Sequence, residues 1–199
     1  MTATLTETII AASVTVLSNG LGGLPFVFTK KFPKELARLG WAASGGLMLS
    51  ASFFNLINPG LEDGGLIPVA IGITLGAILM VVTSMWLDNR EIGFIHNIPE
   101  GLAVALPLNA EGVSGWRCVG WAIFSGVPQV IAAIPAYLAV IAFRPILPYA
   151  FGFAAGAMLL LVMSEMIPES RASESQRLSS AVAGMTGFLF MMVFQIIFS

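Results

Sequence analysis

Seven apolar stretches of membrane-crossing length occupy most of this 199-residue chain, and a helix needs about 20 such residues to span a hydrocarbon core. They run near residues 8–28, 37–58, 65–87, 92–109, 119–142, 146–167 and 180–198. Lipid offers no water to backbone polar groups, so only helices or closed barrels can cross it. The stretches are continuously apolar rather than alternating, which argues against a barrel. The sequence therefore predicts an all-α, polytopic transmembrane helical bundle of seven helices, in a single domain over residues 1–199. Composition points the same way: 10% of residues are charged, where soluble domains carry roughly 25%, and the mean hydropathy is +0.90.

Turn-forming and charged residues punctuate the stretches: Lys30-Lys31-Phe32-Pro33-Lys34, Asn58-Pro59-Gly60, Asp88-Asn89-Arg90, Ala110-Glu111-Gly112, Arg144-Pro145 and the polar run 169–180. Asn58-Pro59 reads as a helix stop. Asp88 to Glu91 is a short link between an antiparallel pair. Gly72-x-x-x-Gly76 and Gly152-x-x-x-Gly156 would let helix backbones approach closely. Trp41, Trp86, Trp116 and Trp121 lie near segment ends, as an aromatic belt requires. No Lys or Arg precedes the first apolar segment, so no cleaved signal peptide is expected. Cys118 is the one cysteine; it reads as a packing residue and rules out an intrachain disulfide or a cysteine-based metal site. A net charge of −2 gives no field for nucleic acid.

Chemistry concentrates in His96-Asn97-Ile98-Pro99-Glu100-Gly101, at the head of an apolar helix. His96 is the only histidine, and Glu100, four residues on, shares its helix face with Asn97 flanking it. Pro99 has no amide hydrogen, so the carbonyl of Ile95 loses its helical partner and the helix can kink. Ionisable groups at membrane depth are expensive and mark ion or substrate pathways. Imidazole, amide, carboxylate and a freed carbonyl together make a divalent-cation station. It requires neutral His96 and ionised Glu100. The plainer reading is a hydrogen-bonded His-Glu pair that only packs helices.

Three further positions carry two readings each. Gln129, after Pro128, is either a neutral oxygen ligand on the same pathway or half of an interhelical hydrogen bond worth about 1 kcal/mol. Glu165, in Met163-Ser164-Glu165-Met166-Ile167-Pro168, is a pathway carboxylate or a charge that has reached the interface; the interfacial reading is favoured. Asn55 lines an entrance or simply closes the second helix. The ten methionines show no repeated spacing, so a copper ladder is not supported. One histidine cannot supply the His-Glu-x-x-His ligands of an intramembrane metalloprotease, and no catalysis or cofactor is expected.

These residues resemble the ZIP family of divalent metal transporters, particularly its prokaryotic branch, over nearly the whole chain. Gly22-Gly23-Leu24-Pro25-Phe26 and the basic Lys30-Lys31 are similar to the family's first helix and its exit. The run from Ala42 to Phe54 is similar to the second. His96 to Pro107 carries the most specific motif, followed in family order by Ser125-Gly126 with Gln129 and by Ala154 to Pro168. The resemblance implies transport of zinc, with iron(II), manganese or cadmium as other candidates, toward the cytoplasm. It also implies a prokaryotic plasma membrane, a bundle whose motif-bearing helices slide against a scaffold, and a homodimer. His96, Asn97 and Glu100 carry over as ligands by motif, and Gln129 stands where many relatives have a carboxylate.

One departure is large. The family has eight helices, and its fourth and fifth each carry a motif of this type, whose ligands face each other. Here it occurs once. His96 at its head is typical of the fourth helix, and the residues after Glu100 match the fifth. Loop charges agree. With the N-terminus outside, a seven-helix chain places Lys30, Lys31, Lys34, Arg38, Arg90 and Arg144 inside, and Arg117, Arg171 and Arg177 outside. One crossing restored between Arg90 and His96 leaves Arg144 alone outside, which satisfies the positive-inside rule far better. The hypothesis is an eight-helix parent that has lost its fourth helix; labelling that puts Arg117 and Arg177 outside in a functional protein would sink it. The competing function is a degenerate, non-transporting relative that binds metal as a sensor or serves as a dimer partner.

Overall fold

The computed structural model describes residues 4–28, 33–87, 101, 104–106, 108–109, 111–171 and 177–198. Helix α1 (Leu5–Gly23) begins at a capping box. The Thr4 hydroxyl accepts from the Glu7 backbone N–H, and the Glu7 carboxylate accepts from the Thr4 N–H. Two donors that a helix start leaves unmet are thereby satisfied. A short turn, α2 (Pro25–Phe28), follows, then α3 (Lys34–Ala51), α4 (Asn58–Gly64) and α5 (Leu66–Leu87). Beyond a tight turn at Gly112, whose φ of 85° favours glycine, come α6 (Gly115–Ala142), α7 (Leu147–Leu161), α8 (Ile167–Ser170) and α9 (Arg177–Phe198). The described residues contain no strand, and the fold is an all-α polytopic membrane protein. Among them, five helical segments are long and apolar enough to cross a membrane: Leu5–Phe28, Leu66–Thr83, Gly115–Ala142, Arg144–Ser170 and Arg177–Ile197. Many of their exposed side chains are large and apolar, including Leu75, Ile131 and Phe190, a surface suited to lipid.

The chain divides into two compact units, one formed by residues 1–37 and 93–143 and the other by residues 38–92 and 144–199. In the first, α1 lies along α6 through small residues. A β-carbon on Gly20 would stand 2.9 Å from Ile123 Cγ1, and one on Gly23 would stand 2.9 Å from Val119 Cα. Gly115 is packed on the carbonyl of Phe26. Phe26, Ala105 and the buried, free Cys118 form the core at that end, and the Cys118 thiol donates to the Val113 carbonyl at 3.6 Å.

In the second unit the two glycine pairs meet each other. Gly72 and Gly76 of α5 lie on the carbonyls of Tyr149 and Phe153, and Gly152 and Gly156 of α7 lie on those of Val69 and Ile73. Lipid tails are as apolar as leucine, so close backbone packing rather than the hydrophobic effect must hold such a pair. The sequence suggested close approach; the structure supplies the partner.

Asn58-Pro59 is not a helix stop. Ala51 leads into a π-helical turn, Ser52–Ile57, closed by the Asn58 N–H donating to the Phe53 carbonyl five residues back. α4 then continues to Gly64. The wider turn absorbs one extra residue, and Pro59 sits in the first turn of α4, where its missing N–H costs least. The same device recurs at Val162–Met166, where the Ile167 N–H donates to the Val162 carbonyl just before Pro168. The Ser52 hydroxyl donates to the Met48 carbonyl at 2.8 Å and lies 3.6 Å from Met158 Sδ.

Candidate functional site

His96, Asn97 and Glu100 lie outside the described residues. The residues just after them do not. Gly101, Ala105 and Asn109, four apart and all buried, share one helix face. Gly101, the chain neighbour of Glu100, is packed on the backbone carbonyl of Asn19 in α1. Ala105 reaches the Phe26–Cys118 core. The described residues after the motif thus lead from Asn19, at Gly101, to the Phe26–Cys118 core, at Ala105, and α6 runs back along α1 from Gly115, at Phe26, to Gly126, at Asn19.

Gln129 is half-buried on α6, directly after Pro128, one of two prolines inside that helix. Pro128 withholds the N–H that would reach the Phe124 carbonyl. The Ser125 hydroxyl donates to the Ala122 carbonyl at 2.8 Å in the same turn. Gln129 lies three residues after Gly126, and so on the same side of the helix. Asn55 and Glu165 belong to the second unit, and each sits on one of its two π turns. Asn55 is exposed and Glu165 half-buried. π turns occur often at functional sites because they re-aim side chains and loosen carbonyls. Among the described residues no three of His, Cys, Asp and Glu come together as a metal cluster.

Asn19 is the polar residue that sequence reasoning passed over. It is fully buried, and neither its Nδ2 nor its Oδ1 has a hydrogen-bond partner. Leaving an amide so costs about 2–7 kcal/mol. Its neighbours in α1 behave otherwise: the Ser13, Thr15 and Ser18 hydroxyls donate to carbonyls of their own helix at 2.8, 2.7 and 2.9 Å. The signal available in the sequence was an asparagine embedded in Ser18-Asn19-Gly20-Leu21-Gly22-Gly23, where every other residue is small or apolar. Ser50 and Gln195, in the second unit, also bury unpartnered polar atoms.

No family model matches the chain. It is similar to the zinc transporter GufA of Myxococcus xanthus, 40% identical, with 93% of this chain and 96% of GufA aligned. The chain belongs to the ZIP family. This ZIP chain is also similar to the zinc transporter ZIP11 of Homo sapiens, 39% identical over 67% of this chain and 49% of ZIP11. A third relative is the zinc transporter ZIPB of Bordetella bronchiseptica, 31% identical over 78% of this chain and 69% of ZIPB. The chain spans about half the length of human ZIP11, and only 14% of an Arabidopsis thaliana relative. The GufA match runs to 249 aligned positions, against 199 residues here. At least 50 of those positions thus have no counterpart in this ZIP chain.

Proposed function

We propose that this ZIP chain carries divalent metal cations, zinc first among them, across a prokaryotic plasma membrane toward the cytoplasm. The observation that carries the reading is the alignment over almost all of GufA, a protein named as a zinc transporter. In this reading His96 and Asn97 supply nitrogen and amide ligands, Glu100 a carboxylate, and Gln129 a neutral oxygen. Such a mixed set suits zinc, iron(II), manganese or cadmium, and geometry rather than raw affinity chooses among them. Protonating the imidazole or the carboxylate removes a ligand, so binding weakens as pH falls. The unit that contains Gly101 and Gln129 is the moving carrier, and the unit built on the α5–α7 crossing is the frame. The N-terminus lies outside, and the protein works as a homodimer.

One observation favours a second reading. The positions of GufA that this chain lacks would remove a helix's worth of ligands, leaving a relative that binds metal without transporting it. The chain would then be an eight-helix transporter without its fourth helix. Radiolabelled zinc uptake by the purified protein in proteoliposomes separates the two. Uptake above empty vesicles, lost in Glu100→Ala, is the result expected of a carrier. Uptake that Glu100→Ala leaves unchanged refutes the assigned ligands, and no uptake of any divalent ion decides for the second reading.

A further inference from the structure

We infer that Asn19 is a further cation-binding residue of this ZIP chain, its Oδ1 holding the ion where α1 meets Gly101 and Gly126. The inference rests on the metal-binding reading above and extends it to a helix outside the motif. The amide lies over Gly126: a β-carbon there would stand 2.6 Å from Asn19 Nδ2 and 3.2 Å from Val16 Cα. Glycine is thus what leaves room for this side chain. Gly101, which follows Glu100 in the sequence, is packed on Asn19's own backbone carbonyl. Gln129 stands one turn from Gly126 on the same side of α6. Two segments outside α1 thus pack on Asn19, Gly126 against its amide and Gly101 against its backbone.

The chemistry is set by what that amide lacks. An asparagine offers one oxygen with two lone pairs and two N–H donors. Fully buried and without a hydrogen bond, it is costly unless something else engages it. A divalent cation takes the oxygen, and the N–H groups remain free to steady a carboxylate. A neutral ligand adds to the coordination of the ion without burying a further charge. Ser50 and Gln195 do not share this position, since they belong to the other unit.

The test uses the full chain in two preparations. In proteoliposomes, Asn19→Ala should raise the KM for zinc about tenfold with a smaller change in kcat. Asn19→Asp, which adds a harder charged oxygen, should shift the manganese-to-zinc uptake ratio toward manganese. In detergent, zinc or cadmium should raise the thermal midpoint of the parent, and Asn19→Ala should lose most of that rise while its metal-free midpoint stays at the parent's value or above. A purely structural asparagine would instead lower the metal-free midpoint and leave the metal-induced rise intact. That pattern overturns the inference, as do variants with the parent's KM and ion ratio. A parent that binds but does not transport refutes the carrier reading alone, because the detergent arm still decides the role of Asn19.

Discussion

Replacing Gly156 with alanine measures how tightly the α5–α7 crossing is built. The new β-carbon would lie 2.7 Å from the Ile73 carbonyl carbon and 2.8 Å from Ile73 Cα, both backbone atoms. Carbon atoms in good contact stand about 3.5–4.0 Å apart, so the helices must separate by roughly 1 Å. A gap of that size forfeits a quarter to a half of each contact's attraction along the seam. Overpacking of this kind costs about 1–3 kcal/mol. For a chain of this length each kcal/mol moves the thermal midpoint by about 2–4 °C. Gly156→Ala should therefore melt about 2–12 °C lower in detergent, followed by tryptophan fluorescence. The internal control is Gly120→Ala on α6, where nothing lies within 4 Å of the added carbon. There the gain in helix propensity should leave stability unchanged or raise it by up to about 1 kcal/mol. Adding Gly76→Ala to Gly156→Ala should cost less than its effect alone, because the helices have already parted. A Gly156→Ala protein as stable as the parent would refute the backbone-contact account of this pair.

Two smaller perturbations probe the ends of helices in the first unit. Thr4→Ala removes the hydroxyl arm of the capping box, which accepts from the Glu7 N–H, and leaves the backbone arm to the Glu7 carboxylate; it should cost about 1 kcal/mol, and faster amide exchange confined to the first turn of α1 checks it. Gly112→Ala places a β-carbon on a residue with φ of 85°, with no steric neighbour within 4 Å. It should cost about 1–2 kcal/mol from backbone strain alone, read as a lower midpoint that Gly112→Asn partly restores.

What could be read from the sequence was what depends on local pattern. Apolar stretches near 65–87 and 119–142 became α5 and α6 because length and continuous hydrophobicity suffice to specify a lipid-crossing helix. The glycine pairs at 72/76 and 152/156 were visible, but a spacing does not name its partner. Asn58-Pro59 misled because a proline's effect depends on the preceding turn. The π turn shifts the donors there so that Pro59 falls where no donor is needed. Asn19 escaped notice because an amide's significance lies in what surrounds it. Only packing against Gly101 and Gly126, distant in sequence, shows that it is enclosed without a partner.

The two π turns also change how these helices must be counted. Each holds one residue more than an α-turn would, so everything after it is rotated by one position, about 100°, from where an uninterrupted helix would put it. A helical wheel drawn straight from Ser44 to Glu62 assigns Pro59 and Glu62 to sides of the helix they do not occupy. A single-residue deletion between Ser52 and Ile57 would therefore act as a rotation of α4 rather than a shortening, and would turn its far end to new neighbours while leaving α3 in place.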